Sequence, residues 1–212
     1  MGRVQKLSAR AQCYEIIKEK ILRQEYDFGA ELNIATLSAE LSVSNTPVRE
    51  ALSQLEADGL IVTNVNLKAQ VVQITPEMFQ HTVSAIYILI RGAYELCVIE
   101  KRIPALLEQM EESFRRQEIL LATEDFFAFT KELVNFDKIM FDVLGNPQLS
   151  FLFERISSIL FLMYRTNMQK RADWESIRSV EEHRKIIDAI ASDDDEAVKK
   201  LIKEHLHQSY FE

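Results

Sequence analysis

The chain has 212 residues, 47% of them hydrophobic, and a formal net charge of −8. This length suits one large domain or two smaller ones with packed cores. The acidic charge argues against a protein that coats nucleic acid through charge alone, and no run of 18 apolar residues predicts a membrane span. The only two cysteines, Cys13 and Cys97, lie far apart. They are typical of buried reduced thiols, so we expect a cytoplasmic protein without membrane contact.

The first 75 residues predict a helix-turn-helix. Apolar residues at helical spacing predict one amphipathic helix over 11–25 and a short second helix over 35–41. Residues 42–44 are long enough only for a turn. Pro47 then favours the start of a third helix, since proline is best tolerated in the first helical turn. Ser44, just before this helix, and Thr46 are candidates for its cap.

Candidate DNA contacts lie on the first turn of the third helix and after it. Two β-rich runs, 60–63 and 69–74, predict a two-stranded wing around residues 64–68. The N-terminal residues of a recognition helix are those that reach base edges. The expected DNA-contacting residues are Asn45, Thr46, Arg49 and Lys68.

Residues 76–212 predict an all-α bundle. Cap residues, prolines and apolar spacing indicate about six helices. The segments richest in Phe, Leu and Ile, 126–144 and 149–164, are expected at its centre. The six predicted helices cover 76–101, 104–121, 124 or 125–144, 149–168, 173–191 and 196–210.

The stretch around Pro47 resembles the winged helix-turn-helix of GntR-family transcriptional regulators. Their signature reads roughly SRTPVREAL, followed by LxxxGL. This chain has SNTPVREAL over 44–52 and LEADGL over 55–60, so eight of the nine signature positions match. The resemblance implies a DNA-binding domain over 1–75.

Three positions depart from the family pattern. Asn45 and Ala35 stand where the family has arginines, and Lys68 stands at the glycine of the wing tip. A good arginine–guanine pair supplies about 1–3 kcal/mol of discrimination. We therefore expect weakened or redirected operator binding, in which Asn45 can pair with adenine and Lys68 with a phosphate or the minor groove.

The second half resembles the effector-binding FCD domain of the FadR branch of that family. The family pattern RxxxE fits Arg91 to Glu95, and the spacing from Phe136 to GNP at 145–147 also fits. EHRKIIDAI over 182–190 fits a third pattern. The resemblance implies an all-α effector-binding and dimerisation domain over 76–212.

Many members of that branch bind a divalent metal through one aspartate and three histidines. Here Leu133 stands at the aspartate position and Asp137 at the first histidine, which leaves Asp137, His183 and His205. Two histidines and a carboxylate can hold zinc, manganese or nickel. The alternative is that the histidines hydrogen-bond each other, Asp137 or an anionic effector.

Arg91 is the best candidate for holding a carboxylate effector, since its planar fork matches two oxygens. A surface ion pair with Glu95, four residues further on, explains it equally well. The expected effector-binding set is Arg91, Asp137, His183 and His205.

These observations favour a ligand-responsive transcriptional regulator that binds a double-stranded operator as a homodimer and responds to an organic acid. The alternative is a degenerate relative with weak or no DNA binding that acts as a ligand or protein interaction module. An enzyme is disfavoured, because no pattern supplies a nucleophile or a second acid–base group beside Asp137, His183 and His205. The effector, the operator and the sign of regulation cannot be derived from the sequence.

Overall fold

The computed structural model describes residues 7–63, 68–123 and 125–208, without the side chains of 167–176 and 207–208. The chain divides into two compact units, Met1–Thr75 and Pro76–Glu212. Helices dominate both units, and all strands among the described residues lie in the first. The predicted mainly α class, with a winged helix-turn-helix followed by a helical bundle, is confirmed.

The first unit packs three helices with a small antiparallel sheet. Helix α1 packs on α3 through buried Cys13, Tyr14, Ile17 and Ile21. The strand order is β1-β3-β2, and Val71 of β3 pairs with Ile61 of β2. The elements are α1 (Ala9–Leu22), β1 (Glu31–Leu32), α2 (Ile34–Leu41), α3 (Asn45–Ala57), β2 (Ile61–Thr63) and β3 (Ala69–Val71).

The helix-turn-helix has the expected tight turn. Asn33 caps α2 through its side chain, which accepts from Thr36 N at 3.1 Å. Ser42 then ends α2 in the left-handed region, at φ 55°. Helix α3 begins at Asn45 rather than at Pro47, and its N-cap position is Ser44. Proline fits at this third position as well, because amides of the first turn have no partner within the helix.

The wing is a three-stranded sheet rather than the predicted two-stranded one. The additional strand, β1, has only two residues and pairs with β3 through Glu31 and Leu32. Two residues are too few to show an alternating pattern, so the sequence could not reveal this strand. Most of the wing loop, 64–67, lies outside the described residues, and Lys68 is the part of it that can be placed.

The second unit is a bundle in which the described residues form five helices. Asp125 caps α6 and Asn146 caps α7 through their side chains, so that α7 begins two residues before the predicted Leu149. Two of the predicted helices, 149–168 and 173–191, are not separate, because the described residues form one continuous helix there. The helices are α4 (Pro76–Ile99), α5 (Ile103–Leu121), α6 (Phe126–Leu144), α7 (Pro147–Ala191) and α8 (Asp195–Gln208).

Helix α6 lies at the centre of the bundle, in contact with α4, α5 and α7. The rings of Phe141 on α6 and Phe153 on α7 stack with centroids 4.7 Å apart. Phe129 and Phe136 are also fully buried. This apolar centre agrees with the predicted one and surrounds the polar side chains described next.

Helix α4 is the one helix among the described residues that is long and apolar enough to cross a membrane by length and composition. It packs against α6, α7 and α8 of the same unit, as a core helix of a bundle does. Only 33% of its most apolar window is buried, however. Helix α4 therefore carries apolar surface that the described residues of its own unit leave uncovered.

Candidate functional site

The first turn of α3 presents polar side chains to solvent. Asn45, Thr46 and Arg49 are exposed, as predicted. On the opposite side of α3, four apolar residues anchor the helix in the core. They are Val48, Ala51, Leu52 and Leu55. The apolar residues therefore fix the rotation of α3 and leave the three polar residues facing solvent.

The fourth predicted DNA contact, Lys68, forms an ion pair. Its Nζ lies 2.7 Å from Glu31 Oε2, across the β1–β3 pair. Both side chains are about half exposed. Such an exposed pair contributes about 0.2–1 kcal/mol, so a phosphate can replace Glu31 as the partner at little cost.

Asp137, His183 and His205 converge in the core of the second unit, although they lie on three helices, α6, α7 and α8. Their exposed fractions are 4%, 0% and 2%. His183 Nε2 lies 3.3 Å from His205 Nε2, and Asp137 Oδ1 lies 3.7 Å from His205 Nε2. One donor atom from each of the three residues falls within 4.8 Å of the other two. We call this the Asp-His-His cluster.

Each histidine of the cluster is anchored through its Nδ1 atom. His183 Nδ1 lies 2.7 Å from Gln117 Oε1, and His205 Nδ1 lies 3.0 Å from Glu182 Oε2. Both anchors are oxygens that accept, so both rings carry their proton on Nδ1. The two Nε2 atoms then face each other with lone pairs, which is unfavourable unless a proton or a cation lies between them.

The donor set of the cluster fits a divalent transition metal. Two nitrogens bound to one tetrahedral zinc at about 2.0–2.1 Å are about 3.3 Å apart. The Nε2 atoms show this separation, at 3.3 Å. Asp137 Oδ2 is buried and has no hydrogen-bond partner among the described residues. Such an orphan acceptor is rare, and a cation would satisfy it.

Burial separates the protonation behaviour of the three groups. It raises the pKa of Asp137 to about 6, although the charge of His205 and a hydrogen bond from Tyr164 oppose this shift. Burial, together with the neighbouring His205, holds the pKa of His183 well below its ordinary value. Burial also lowers the pKa of His205, but the hydrogen bond to Glu182 and the charges of Asp137 and Glu182 outweigh it, so the net pKa is raised.

Arg91 does not belong to these contacts. It lies on the exposed surface of α4, where its Nε donates to Glu95 Oε1 at 3.0 Å. Its side chain is 48% exposed, whereas the cluster is buried. Leu133, at the position of the family's aspartate, is fully buried one turn before Asp137 and offers no ligand atom.

Three further residues of the site were missed by the sequence interpretation. Gln117 and Glu182 anchor the two histidines, and the Tyr164 hydroxyl lies 3.1 Å from His205 Nε2. Glu182 directly precedes His183 in the quoted motif and could have been considered. Gln117 is 66 residues away from the histidine that it anchors, and no spacing pattern indicated it.

Comparisons with known proteins cover both units. Residues 9–66 match the bacterial regulatory proteins of the gntR family, and residues 91–208 match the FCD domain. A protein described as an uncharacterised HTH-type transcriptional regulator, YdhC of Bacillus subtilis (strain 168), is 25% identical over 203 residues. That similarity covers 92% of this chain and 87% of the relative.

Solved structures share the fold. Escherichia coli McbR/YncC superposes with a TM-score of 0.76 at 18% identity, over 96% of this chain and 95% of that one. A putative GntR regulator from Rhodococcus sp. RHA1 also gives a TM-score of 0.76, at 20% identity and over 95% of each chain. At these identities the likeness supports the fold alone.

Proposed function

This chain belongs to the GntR family of bacterial regulatory proteins and carries the FCD domain of the FadR-type branch, and from that membership we propose a regulator of specific operator DNA controlled by a ligand in the helical unit. Members of this family are transcriptional regulators rather than enzymes. The observation that carries the ligand part of the proposal is the buried Asp-His-His cluster. The exposed first turn of α3 carries the DNA part.

DNA reading is assigned to the first turn of α3 and the wing. Arg49 pairs with a guanine through its fork, Asn45 with an adenine, and Thr46 supports them. Lys68 contacts a phosphate after leaving Glu31. Support comes from the exposure of the three α3 residues on the turn that a recognition helix presents to base edges.

A fluorescence titration on the DNA upstream of the chain's own gene tests this assignment. Arg49→Ala should weaken specific binding by about 1–3 kcal/mol, while Gln54→Ala, an exposed change later on α3, should leave it nearly unchanged. If wild-type protein shows no salt-sensitive binding at micromolar concentration, the DNA reading fails. A ligand or protein interaction module that has lost DNA binding would then explain the chain better.

The ligand site is assigned to the Asp-His-His cluster. Asp137 Oδ, His183 Nε2 and His205 Nε2 would hold one zinc, manganese or nickel ion. Such an ion, when bound, supplies open coordination positions for the carboxylate of an organic acid. The protein's part is to fix both imidazoles through Gln117 and Glu182 and to exclude water through the apolar core, including the Phe136 ring stacked on His183 at 3.8 Å.

Metal content decides this assignment. Protein purified without chelator or His-tag resin should contain about one equivalent of metal by elemental analysis. His205→Ala should abolish the thermal shift caused by added manganese or zinc, whereas His81→Ala, at an exposed position on α4, should not. A metal content near zero, together with no thermal shift in the wild type, would reject the metal site. Direct binding of an anionic effector by the histidines would remain as its replacement.

A homodimer is proposed because paired recognition helices address half-sites related by two-fold symmetry. Its contact face is assigned to α4. Ile88 and Ile99 there are 68% and 74% exposed. Between them, a Cβ added at Gly92 would meet nothing within 4 Å, so the helix of a second copy can approach closely.

Control of DNA affinity follows from linkage. An organic acid bound in the helical unit can change operator affinity only by the ratio of its own affinities for the DNA-bound and the DNA-free protein. The stretch from Thr75 to Met78, where the second unit begins, is proposed to carry this coupling. Substitutions there should change the response to ligand more than they change ligand binding itself.

A further inference from the structure

The ring tautomer of His183 is set by a chain of buried hydrogen bonds that reaches almost to the surface. The chain runs from Glu132 on α6 through Ser113 and Gln117 on α5 to His183 on α7. Ser113, Gln117 and His183 are each 0% exposed. We propose that Glu132, Ser113 and Gln117 are positioning residues that hold His183 with its proton on Nδ1, so that the Nε2 lone pair faces the Asp-His-His cluster.

The chain begins at a carboxylate that can only accept. Glu132 Oε1 receives the guanidinium of Arg116, with Nε at 3.1 Å, and the amide of Asn135 at 3.1 Å. The Ser113 hydroxyl donates to the same oxygen at 2.6 Å. A serine hydroxyl has one proton, so this bond leaves Ser113 Oγ able only to accept from other neighbours.

The orientation of Gln117 follows from that restriction. Its Nε2 lies 3.4 Å from Ser113 Oγ and donates to it, while its Oε1 lies 2.7 Å from His183 Nδ1. The reverse amide orientation would place Gln117 Oε1 against Ser113 Oγ, whose proton is already used. Two acceptors would then face each other, which is unfavourable in a buried site.

The tautomer of His183 is the last step. Because Gln117 Oε1 accepts, His183 Nδ1 must donate, and the neutral ring keeps its lone pair on Nε2. That lone pair points towards His205 Nε2, 3.3 Å away. With the opposite tautomer an N–H would occupy this position and would block a cation. The chain thus prepares the imidazole for a ligand before any ligand arrives.

The tautomer can be read directly in metal-free protein. ¹⁵N-histidine NMR, with the His183 signals assigned by their loss in His183→Gln, should show a protonated Nδ1 and an unprotonated Nε2 in the wild type. In Ser113→Ala, Gln117 is free to reverse, and the His183 signals should move to a mixture of tautomers. Manganese affinity should fall about 10–100-fold in the same variant, which is typical of lost anchoring contacts.

Two further variants separate positioning from simple packing. In the double variant Ser113→Ala, Gln117→Glu, both terminal atoms of the side chain at position 117 are oxygens. One of them accepts from His183 Nδ1 in either orientation of that side chain, so the wild-type tautomer should return. Thr130→Val is the matched control, because it removes a buried hydroxyl that donates to Phe126 O of its own helix at 2.7 Å. It should leave the His183 signals unchanged.

Clear outcomes would overturn the inference. It is wrong if wild-type His183 carries its proton on Nε2, or if Ser113→Ala leaves the tautomer unchanged, or if Thr130→Val disturbs it equally. The metal measurement rests on the proposed ligand site, but the NMR measurement does not. A protein that binds no metal yet shows the expected tautomer would therefore reject the proposed metal site and support this inference.

Discussion

Single residues decide how the buried cluster responds to pH. Burial raises the pKa of Asp137 to about 6, above its ordinary value of 3.8. The folded state therefore disfavours the charged form, and the penalty grows as the pH rises from 4 to 6 and is complete above 6. In metal-free protein, Asp137→Asn should raise the free energy of unfolding by on the order of 2 kcal/mol at pH 8.

Urea unfolding of both proteins at pH 8 and at pH 4 checks this prediction. Most of the stabilisation should be lost at pH 4, because folded Asp137 is then protonated and the pH lies close to the ordinary pKa of 3.8, so that little of the penalty has developed. At pH 8 the same variant should lose metal binding. If Asp137→Asn is less stable than the wild type at pH 8, the attraction between the Asp137 carboxylate and charged His205 contributes more free energy than burial of the carboxylate costs.

At the same scale, the proposed phosphate contact of Lys68 competes with its ion pair to Glu31. Glu31→Gln should raise operator affinity about two- to tenfold, because it removes this ion pair and a negative charge beside the phosphates. The slope of log K against log salt should steepen by up to about 0.9 if one more phosphate is neutralised. The control Glu19→Gln, which frees Arg23 from a similar exposed pair on α1, should change neither quantity.

The cluster shows how far single residues can be predicted. The resemblance to the FCD domain implied Asp137, His183 and His205, because each stands at one of the family's metal-ligand positions. Gln117 was not implied, because a hydrogen-bond anchor needs only one oxygen at one point in space. Any of several polar side chains on α5 satisfies that requirement, and the sequence does not say which one faces the ring.

Helix ends were predictable where a cap or a proline fixes them, as at Pro76, the first residue of α4. The break expected between 168 and 173 was wrong, since α7 continues from Pro147 to Ala191. Residues 169–172 read Gln-Lys-Arg-Ala, all good helix formers without a glycine or proline. A polar stretch of this kind is as typical of a helix as of a loop.

The apolar face of α4 makes a prediction at the scale of an element. Ile88→Glu should convert the protein to a monomer at concentrations where the wild type is dimeric, because it places a charge in the proposed contact. Sedimentation velocity measures the change, and operator affinity should fall with it. Ile119→Glu on α5 is the matched control, since Ile119 is also 65% exposed.

If Ile88→Glu and wild type sediment alike, α4 is not the contact face. Loss of the dimer in Ile119→Glu as well would indicate a general effect of added charge. The assignment of α4 as the contact face is supported only if Ile88→Glu loses the dimer and Ile119→Glu keeps it.

At the scale of the whole molecule, ligand and operator affinities must be linked reciprocally. If a bound metal ion changes operator affinity by some factor, the operator changes metal affinity by the same factor. Typical coupling of about 1–3 kcal/mol corresponds to a 5–150-fold effect. Manganese titrations by calorimetry, with and without saturating operator, should return the factor found in DNA titrations with and without manganese.

Unequal factors in the two titrations would mean that a third species, such as the dimer equilibrium, takes part. Equal factors near one would mean that the metal alone does not switch the protein. An organic acid bound beside the metal would then be the signal.

The orphan oxygen of Asp137 also has a consequence for how much of the regulator a cell contains. An empty cluster lowers the stability of the fold, and a ligand that binds only the folded state restores it by mass action. Changes of 1–2 kcal/mol alter steady-state protein abundance several-fold through proteolysis of unfolded chains. The ligand would thus set the lifetime of its own sensor, and starvation for it should deplete the protein as well as empty the site.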